Sequence, residues 1–264
     1  MDFKSPPEVV EAARKLCDIG VFGYSYRPES SIELFVKWVK KRHSWDVKPE
    51  WITSSPGIVA TLPLAIRVFT EKGDKVLIQT PVYPPFHAAA KDTGRSLVFN
   101  TLINNNGYYT IDFEDFENKL KSGVKLFILC SPHNPIGRVW SRDELTQMGD
   151  LCVKYGVTII SDEIHSDLAL YGNIHIPTAS VSESISAHTL TAMAPSKTFN
   201  IAGMMNSVIL TSSPKLLASF NKELHTMRIE SGNLFGHITM EAAYRYGENW
   251  LNELIPYLEG NIDG

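Results

Sequence analysis

Cysteine is scarce. Cys17, Cys130 and Cys152 are the only three in 264 residues, odd in number and without regular spacing. That excludes a disulfide framework and accords with reduced thiols in a cytoplasmic protein, the expected localisation. No apolar run approaches the roughly 20 residues that a membrane helix needs, and the opening residues lack the pattern of a secretory leader. An excess of one charge is also missing. Twenty-five Lys and Arg against 29 Asp and Glu leave a formal net charge of −4, which argues against nucleic acid or an acidic membrane surface as partner. The one concentrated basic run, Lys37-Trp38-Val39-Lys40-Lys41-Arg42-His43, is expected to be the solvated face of a helix, because Leu34, Phe35, Trp38 and Val39 fall at helical spacing. There is no internal repeat and no low-complexity segment. No Cys, His, Asp or Glu set has metal-ligand spacing, so no metal is expected. A Gly-x-Ser-x-Gly elbow is absent, which leaves a serine hydrolase without support. No Walker or dinucleotide fingerprint is present either.

What is there is an ordinary globular composition, 44% hydrophobic and 20% charged. Short apolar runs alternate with helical patterns. Strands are expected at Trp51–Ser54, Lys75–Gln79, Leu97–Leu102, Leu126–Cys130, Thr158–Ser161, Thr189–Met193 and Ser207–Leu210. Helices are expected at Pro6–Leu16, Gly57–Thr70, Pro84–Lys91, Phe113–Lys121, Arg142–Tyr155, Pro214–Met227 and Glu248–Glu259. The turn Asn104-Asn105-Asn106-Gly107 predicts a local hairpin between Val98–Ile103 and Tyr108–Ile111. Buried strands alternating with helices imply an α/β fold with a mostly parallel sheet covered on both faces.

Several chemistry-bearing residues follow the expected strand ends, where sites gather in open α/β sheets. Asn134, in Ser131-Pro132-His133-Asn134-Pro135, precedes Asp162, in Ser161-Asp162-Glu163-Ile164-His165, by 28 positions, and Lys197, in Pro195-Ser196-Lys197-Thr198, follows 35 further on. Lysine is the side chain whose amine forms an imine and whose pKa drops when it is desolvated. An aspartate opposite a pyridine nitrogen would keep such a ring protonated and able to accept electrons. The order therefore suits an enzyme that holds an aromatic aldehyde cofactor as a Schiff base. Tyr83, in Pro81-Val82-Tyr83-Pro84, could stack on a planar group. Ser54-Ser55-Pro56-Gly57-Ile58 opens a helix whose free N–H groups could cradle a phosphate. His165 could bond Asp162 or the cofactor edge. Each has a plain alternative that its own context leaves open. Lys197 could be a surface lysine, Asp162 a helix N-cap, Asn134 a turn residue, Tyr83 a rim tyrosine and His165 a structural histidine.

At these residues the chain resembles the fold-type I pyridoxal-phosphate enzymes of the aspartate aminotransferase superfamily. More narrowly it resembles the cystathionine β-lyase/C–S lyase branch that includes the MalY and PatB proteins. Val21-Phe22-Gly23-Tyr24, Pro81-Val82-Tyr83, Ser131 to Trp140, Ser161 to Asp167 and Ala194 to Asn200 carry the resemblance, which spans essentially the whole chain. It implies pyridoxal 5′-phosphate as cofactor and Lys197 as the catalytic lysine that holds it. Asp162 would face the ring nitrogen, Asn134 the phenolic oxygen and Tyr83 the ring face, with Ile164 and His165 beside the cofactor. Gly57, Ile58 and Ser196 would hold the phosphate. Tyr24 would reach the phosphate of the neighbouring subunit in a homodimer with shared sites. Three positions depart from the wider superfamily: His165 replaces a common tyrosine, Met205 a common phosphate-binding arginine, and Ala194 a serine found in some relatives.

The expected fold is the type I transferase fold, a three-layer α-β-α large domain. Residues 1–20 would lead into it, 21–247 would form it, and 248–264 would start the helix to a small domain. That small domain, with the substrate-carboxylate arginine, would lie beyond Gly264, so the chain reads as the large core of a longer protein, with Trp250, Leu254 and Leu258 exposed. The expected reaction is β-elimination on a sulfur amino acid, giving pyruvate, ammonia and a thiol. Aspartate beside a cation is expected to have a lowered pKa, so Asp162 should be ionised at neutral pH. The alternatives are an aminotransferase and a regulatory, binding or inactive fragment that retains the fold.

Overall fold

The computed structural model describes residues 3–264. Its strands are β1 (Ile52–Ser55), β2 (Lys75–Thr80), β3 (Ser96–Thr101), β4 (Ile103–Asn105), β5 (Tyr108–Thr110), β6 (Val124–Cys130), β7 (Thr158–Asp162), β8 (Thr189–Met193) and β9 (Ser207–Leu210). Its helices are α1 (Pro7–Ile19), α2 (Glu29–His43), α3 (Ile58–Phe69), α4 (Pro85–Asp92), α5 (Phe113–Lys121), α6 (Arg142–Lys154), α7 (Glu183–His188), α8 (Pro195–Thr198), α9 (Pro214–Thr226), α10 (Leu234–Tyr246) and α11 (Glu248–Asp263). Seven strands form one sheet in the order β1-β9-β8-β7-β6-β2-β3. The pairs from β8 to β3 are parallel, and β9 runs antiparallel to both β8 and β1.

Side-chain alternation along the strands makes three layers. Val76, Ile78, Leu126, Ile128, Ile160, Leu190 and Ile209 face α3, α4 and α9 in one core. Leu77, Phe127, Leu129 and Ile159 face α5, α6 and α7 on the other side. Met193, Val208 and Leu210 continue that second face under α2, α10 and α11. Local signals fix several boundaries. Ser141 and Glu144 close a capping box at the start of α6. Asp112 and Ser213 cap α5 and α9.

The expected strands all form, with ends that differ by a residue or two. The hairpin is shorter than expected. Asn106 (φ 53°) and Gly107 (φ 96°) make the turn, but only Ile103–Asn105 and Tyr108–Thr110 pair across it. Residues 96–101 belong instead to the main sheet beside β2, and Leu102, buried, donates its N–H to Thr80 O there. Three helices, α7, α8 and α10, have no counterpart in the sequence reading, and α8 is a single turn. α10 is capped by Asn233 and buries Gly236, His237, Thr239, Met240, Ala242, Ala243 and Tyr244. Burial on most sides erases the apolar stripe that marks a surface helix. α7 has only six residues, too few to show a period.

The basic run lies on α2, with Lys40 paired to Asp46 and Lys41 to Glu248 at the surface. His43, however, is buried with Phe35, Trp38 and Val39. α11 runs past Glu259 to Asp263. Trp250, Leu254 and Leu258 are half-buried rather than exposed, because α11 packs on the second core through Leu251, Trp250 and Ile255. Its far end is tied to Tyr171, whose hydroxyl donates to Asp263. Among the described residues no helix is long and apolar enough to cross a membrane, and no cluster of His, Cys, Asp or Glu could hold a metal. The three cysteines form no disulfide.

Candidate active site

The ends of β2, β6, β7 and β8 and the start of α3 enclose a cavity of about 450 Å³ on the α3 side of the sheet. Gly57, Ile58, Tyr83, Asn134, Asp162, Ile164, His165, Ser196 and Lys197 all line it. Only Tyr24, among the expected site residues, is absent from that wall. It is fully exposed, on the extended segment between α1 and α2.

Asp162 is the last residue of β7, and its parity with Ile160 turns it towards α3, whereas Ser161 and Glu163 turn the other way. It caps no helix. Its Oδ1 accepts one hydrogen bond, from Ile164 N at 3.1 Å. The carboxyl is 5% exposed. In the cofactor-free fold burial pushes it up to about 7, Glu163 adds to the rise, and the Ile164 N–H and the Lys197 ammonium only partly oppose it; the lowering expected beside a ring cation concerns the cofactor-bound site. The desolvation of a carboxylate sealed behind α3 outweighs one nearby cation.

Lys197 lies in α8, a single turn directly after β8, and is half-buried. His165 beside it is neutral, held down to about 4 by burial first and by Lys197 second. Asn134 and Tyr83 come together because their turns are joined. Tyr83 N donates to Asn134 O at 3.1 Å, and His133 Nε2 lies 2.9 Å from Pro81 O. His133 is itself kept neutral, lowered to about 4 chiefly by burial, so its Nε2–H serves as the donor. Further along, Arg138 grips Glu144 with one terminal nitrogen at 2.8 Å from both carboxylate oxygens and lies over the Tyr108 and Trp140 rings. That fixes the far side of the Asn134 turn.

The start of α3 is open. Gly57 has φ 128° and ψ 156°, no side chain caps the helix, and a Cβ built on Gly57 would meet nothing within 4 Å. The first N–H groups of a helix have no acceptor within it, so they point into the cavity as anion donors. Met205 is the position where the resemblance points to an arginine common in the wider superfamily. It lines the same end of the cavity with a left-handed backbone (φ 45°) and supplies no charge.

Cys130 and Asn206 also line the cavity and were not expected there. Cys130 ends β6, the same strand-end signal that picked out the others. Burial pushes its thiol well above the usual range, and its sulfur accepts from Asn134 N at 3.3 Å. Asn206 sits just before β9 and has no motif to mark it. A second cavity of about 450 Å³ shares Asn134 and His165 with the first and extends towards Leu170, Tyr171 and Asn173.

A wide, mostly parallel sheet with a lysine, a buried carboxylate and an uncapped helix start at its strand ends is the α/β architecture of the PLP-dependent transferase fold. The chain belongs to the family Aminotransferase class I and II, whose pattern it matches over residues 1–228. It is 46% identical over 264 residues to the cystathionine beta-lyase PatB of Bacillus subtilis (strain 168), covering 100% of this chain and 68% of that protein. Protein MalY of Escherichia coli (strain K12) is 31% identical over 265 residues, 99% of this chain and 67% of its own length. Among solved structures, the PLP-bound C-S lyase from Staphylococcus hominis superposes with a TM-score of 0.94 at 38% identity, covering 100% of this chain and 66% of that one.

Proposed function

We propose that this protein uses pyridoxal 5′-phosphate to eliminate the thiol from a sulfur amino acid such as cystathionine or cysteine, releasing pyruvate and ammonia. The observation that carries the reading is the meeting of Lys197, Asp162, Asn134 and Tyr83 in one cavity with the uncapped start of α3. The names of the relatives support it, since PatB is a cystathionine beta-lyase and the Staphylococcus hominis protein a PLP-bound C-S lyase.

The residues fit the cofactor. Asp162 has a buried carboxylate with a single protein donor, so it can accept a ring N–H, and that cation would return it to the ionised form. The first N–H groups of α3, at Gly57 and Ile58, and the Ser196 hydroxyl can take the phosphate. Asn134 can donate its amide to the phenolic oxygen, and Tyr83 can cover one ring face. When bound, the cofactor supplies an aldehyde that condenses with an amine and a ring that takes up the electron pair left by a departing α-proton. Lys197 would hold the cofactor through its amine and, when that amine is free, would take the substrate α-proton at Nζ as general base. Neutral His165 offers a hydrogen bond at the mouth shared with the second cavity, which gives the thiol-bearing arm room. Tyr24, exposed on its extended segment, serves a site shared across a homodimer.

The test is to follow pyruvate from cystathionine with no keto acid added, and to map the peptide labelled by borohydride reduction. Pyruvate release with label on Lys197 is expected. Turnover that requires a keto acid would make the protein an aminotransferase, and label elsewhere would overturn the lysine assignment.

A further inference from the structure

Asp162 and Lys197 each have a neighbour in sequence that faces away from the cavity, Glu163 and Thr198. Both neighbours are buried in polar contacts on the far side of the sheet. Glu163 accepts from Ser161 Oγ at 2.8 Å and Thr178 N at 2.9 Å, and its other oxygen lies 2.8 Å from His175 Nε2. The His175 ring stands edge-on to His43 at 5.3 Å between centroids. His43 Nε2 approaches Asp167 Oδ1 to 3.2 Å without hydrogen-bond alignment.

Asp167 ends this chain of contacts. Trp38 Nε1 donates to both of its oxygens, at 3.2 and 3.1 Å, and Thr198 Oγ1 donates to Oδ2 at 2.9 Å. Arg42 Nε lies 3.6 Å from Oδ1. The carboxylate is 6% exposed. Burial alone would raise its pKa, but His43, Thr198 and Arg42 together bring it below the ordinary value, so it stays charged. The short turn α8 has no side-chain N-cap. Its apolar anchor is Phe199, 5.4 Å from the Trp38 ring, and its polar anchor is the bond from Thr198 to Asp167.

We infer that Asp167 is a positioning residue for the reaction: its carboxylate, fixed by the Trp38 indole, holds Thr198 and thereby sets the direction in which Lys197 enters the cavity. The inference rests on the reading of Lys197 as the cofactor lysine. Trp38 from α2 and Thr198 from α8 thus converge as donors on one carboxylate, carried by the segment after β7. Without that bond the side chain of Lys197 would still be present, but its amine would sample more hydrated positions. Misplacement of a reacting group by about 1 Å from a distant change can cost roughly a hundredfold in rate.

The test uses the cofactor-loaded protein and the pair Thr198→Val and Thr198→Ser, with Lys197→Ala as control. Valine keeps the shape and removes the donor, whereas serine keeps the donor. Three quantities are read: the pH midpoint of the cofactor's visible absorbance, the melting temperature, and kcat with KM for pyruvate release. Thr198→Val is expected to raise the midpoint by roughly half a pH unit or more, because a better hydrated imine nitrogen holds its proton more tightly. It should lower kcat about 10- to 100-fold with little change in KM. Thr198→Ser should restore both. An unchanged midpoint in Thr198→Val, or an equal change in Thr198→Ser, overturns the inference. If Lys197→Ala still yields borohydride-fixed cofactor, it is the reading of Lys197 that fails, a separate result. Should Thr198→Val not fold, Trp38→Phe removes the other donor to Asp167 while keeping an aromatic ring, and is judged by the same midpoint.

Discussion

Replacing Asp162 by Asn tests the burial argument directly, in the cofactor-free protein. The folded carboxyl titrates at about 7 against 3.8 for its ordinary value. Between those values the unfolded chain releases a proton that the folded chain keeps, so stability falls as pH rises through the window. With these two constants the ionisation of Asp162 costs the fold about 2 kcal/mol at pH 5 and about 4 kcal/mol at pH 8. The Asn variant retains an acceptor for Ile164 N and carries none of this penalty. The melting temperature of the wild-type protein should therefore fall relative to Asp162→Asn between pH 5 and 8. The difference of about 2 kcal/mol corresponds to roughly 4–8 °C in a protein of this size. Differential scanning calorimetry at pH 5, 6.5 and 8 reads it. Parallel curves, or a wild type that gains on the variant as pH rises, would show that Asp162 is already ionised in the fold, and the reasoning from burial would be refuted. Cofactor loading should flatten the wild-type slope, because a ring N–H⁺ facing Asp162 favours the charged carboxylate.

Two other outcomes follow from the cavity walls. Gly57→Ala places an L-residue at φ 128°, a conformation costing on the order of 1–3 kcal/mol. It should weaken cofactor binding about 10- to 100-fold in a spectrophotometric titration, and unchanged affinity would remove Gly57 from the phosphate cradle. Mixing Tyr24→Phe with Lys197→Ala subunits should recover activity that neither has alone. Absence of recovery after confirmed subunit exchange would count against a shared site.

Much of this site could be read from the chain because strand-end residues in α/β sheets are both chemically exposed and sequentially marked. Asn134, Asp162 and Lys197 each follow a run of β-branched and apolar residues, and that order survives folding unchanged. The contacts that fix them could not be read, because they join residues distant in sequence. Thr198 meets Asp167 31 positions away, and Trp38 meets it across 129. The raised pKa of Asp162 in the cofactor-free fold could not be read for a related reason: its motif does not show the depth of the wall that α3 builds over it. α10 was hidden by its own burial, since a helix wrapped by core on most sides shows no period.

The outermost strand β1 pairs with β9, Ile52 opposite Leu210. The turn from Ser54 to Gly57 that opens α3 is therefore carried on a strand whose sheet partner among the described residues, β9, is synthesised after every other described strand. At roughly 5–20 residues per second, β1 leaves the ribosome on the order of 10 s before β9. During that interval the proposed phosphate segment lacks its strand partner, while α3 already has β6, β7 and β8 to pack on. A nascent chain stalled before Ser207 would thus carry Asn134, Asp162 and Lys197 with the Ser54–Gly57 turn unpaired at its edge.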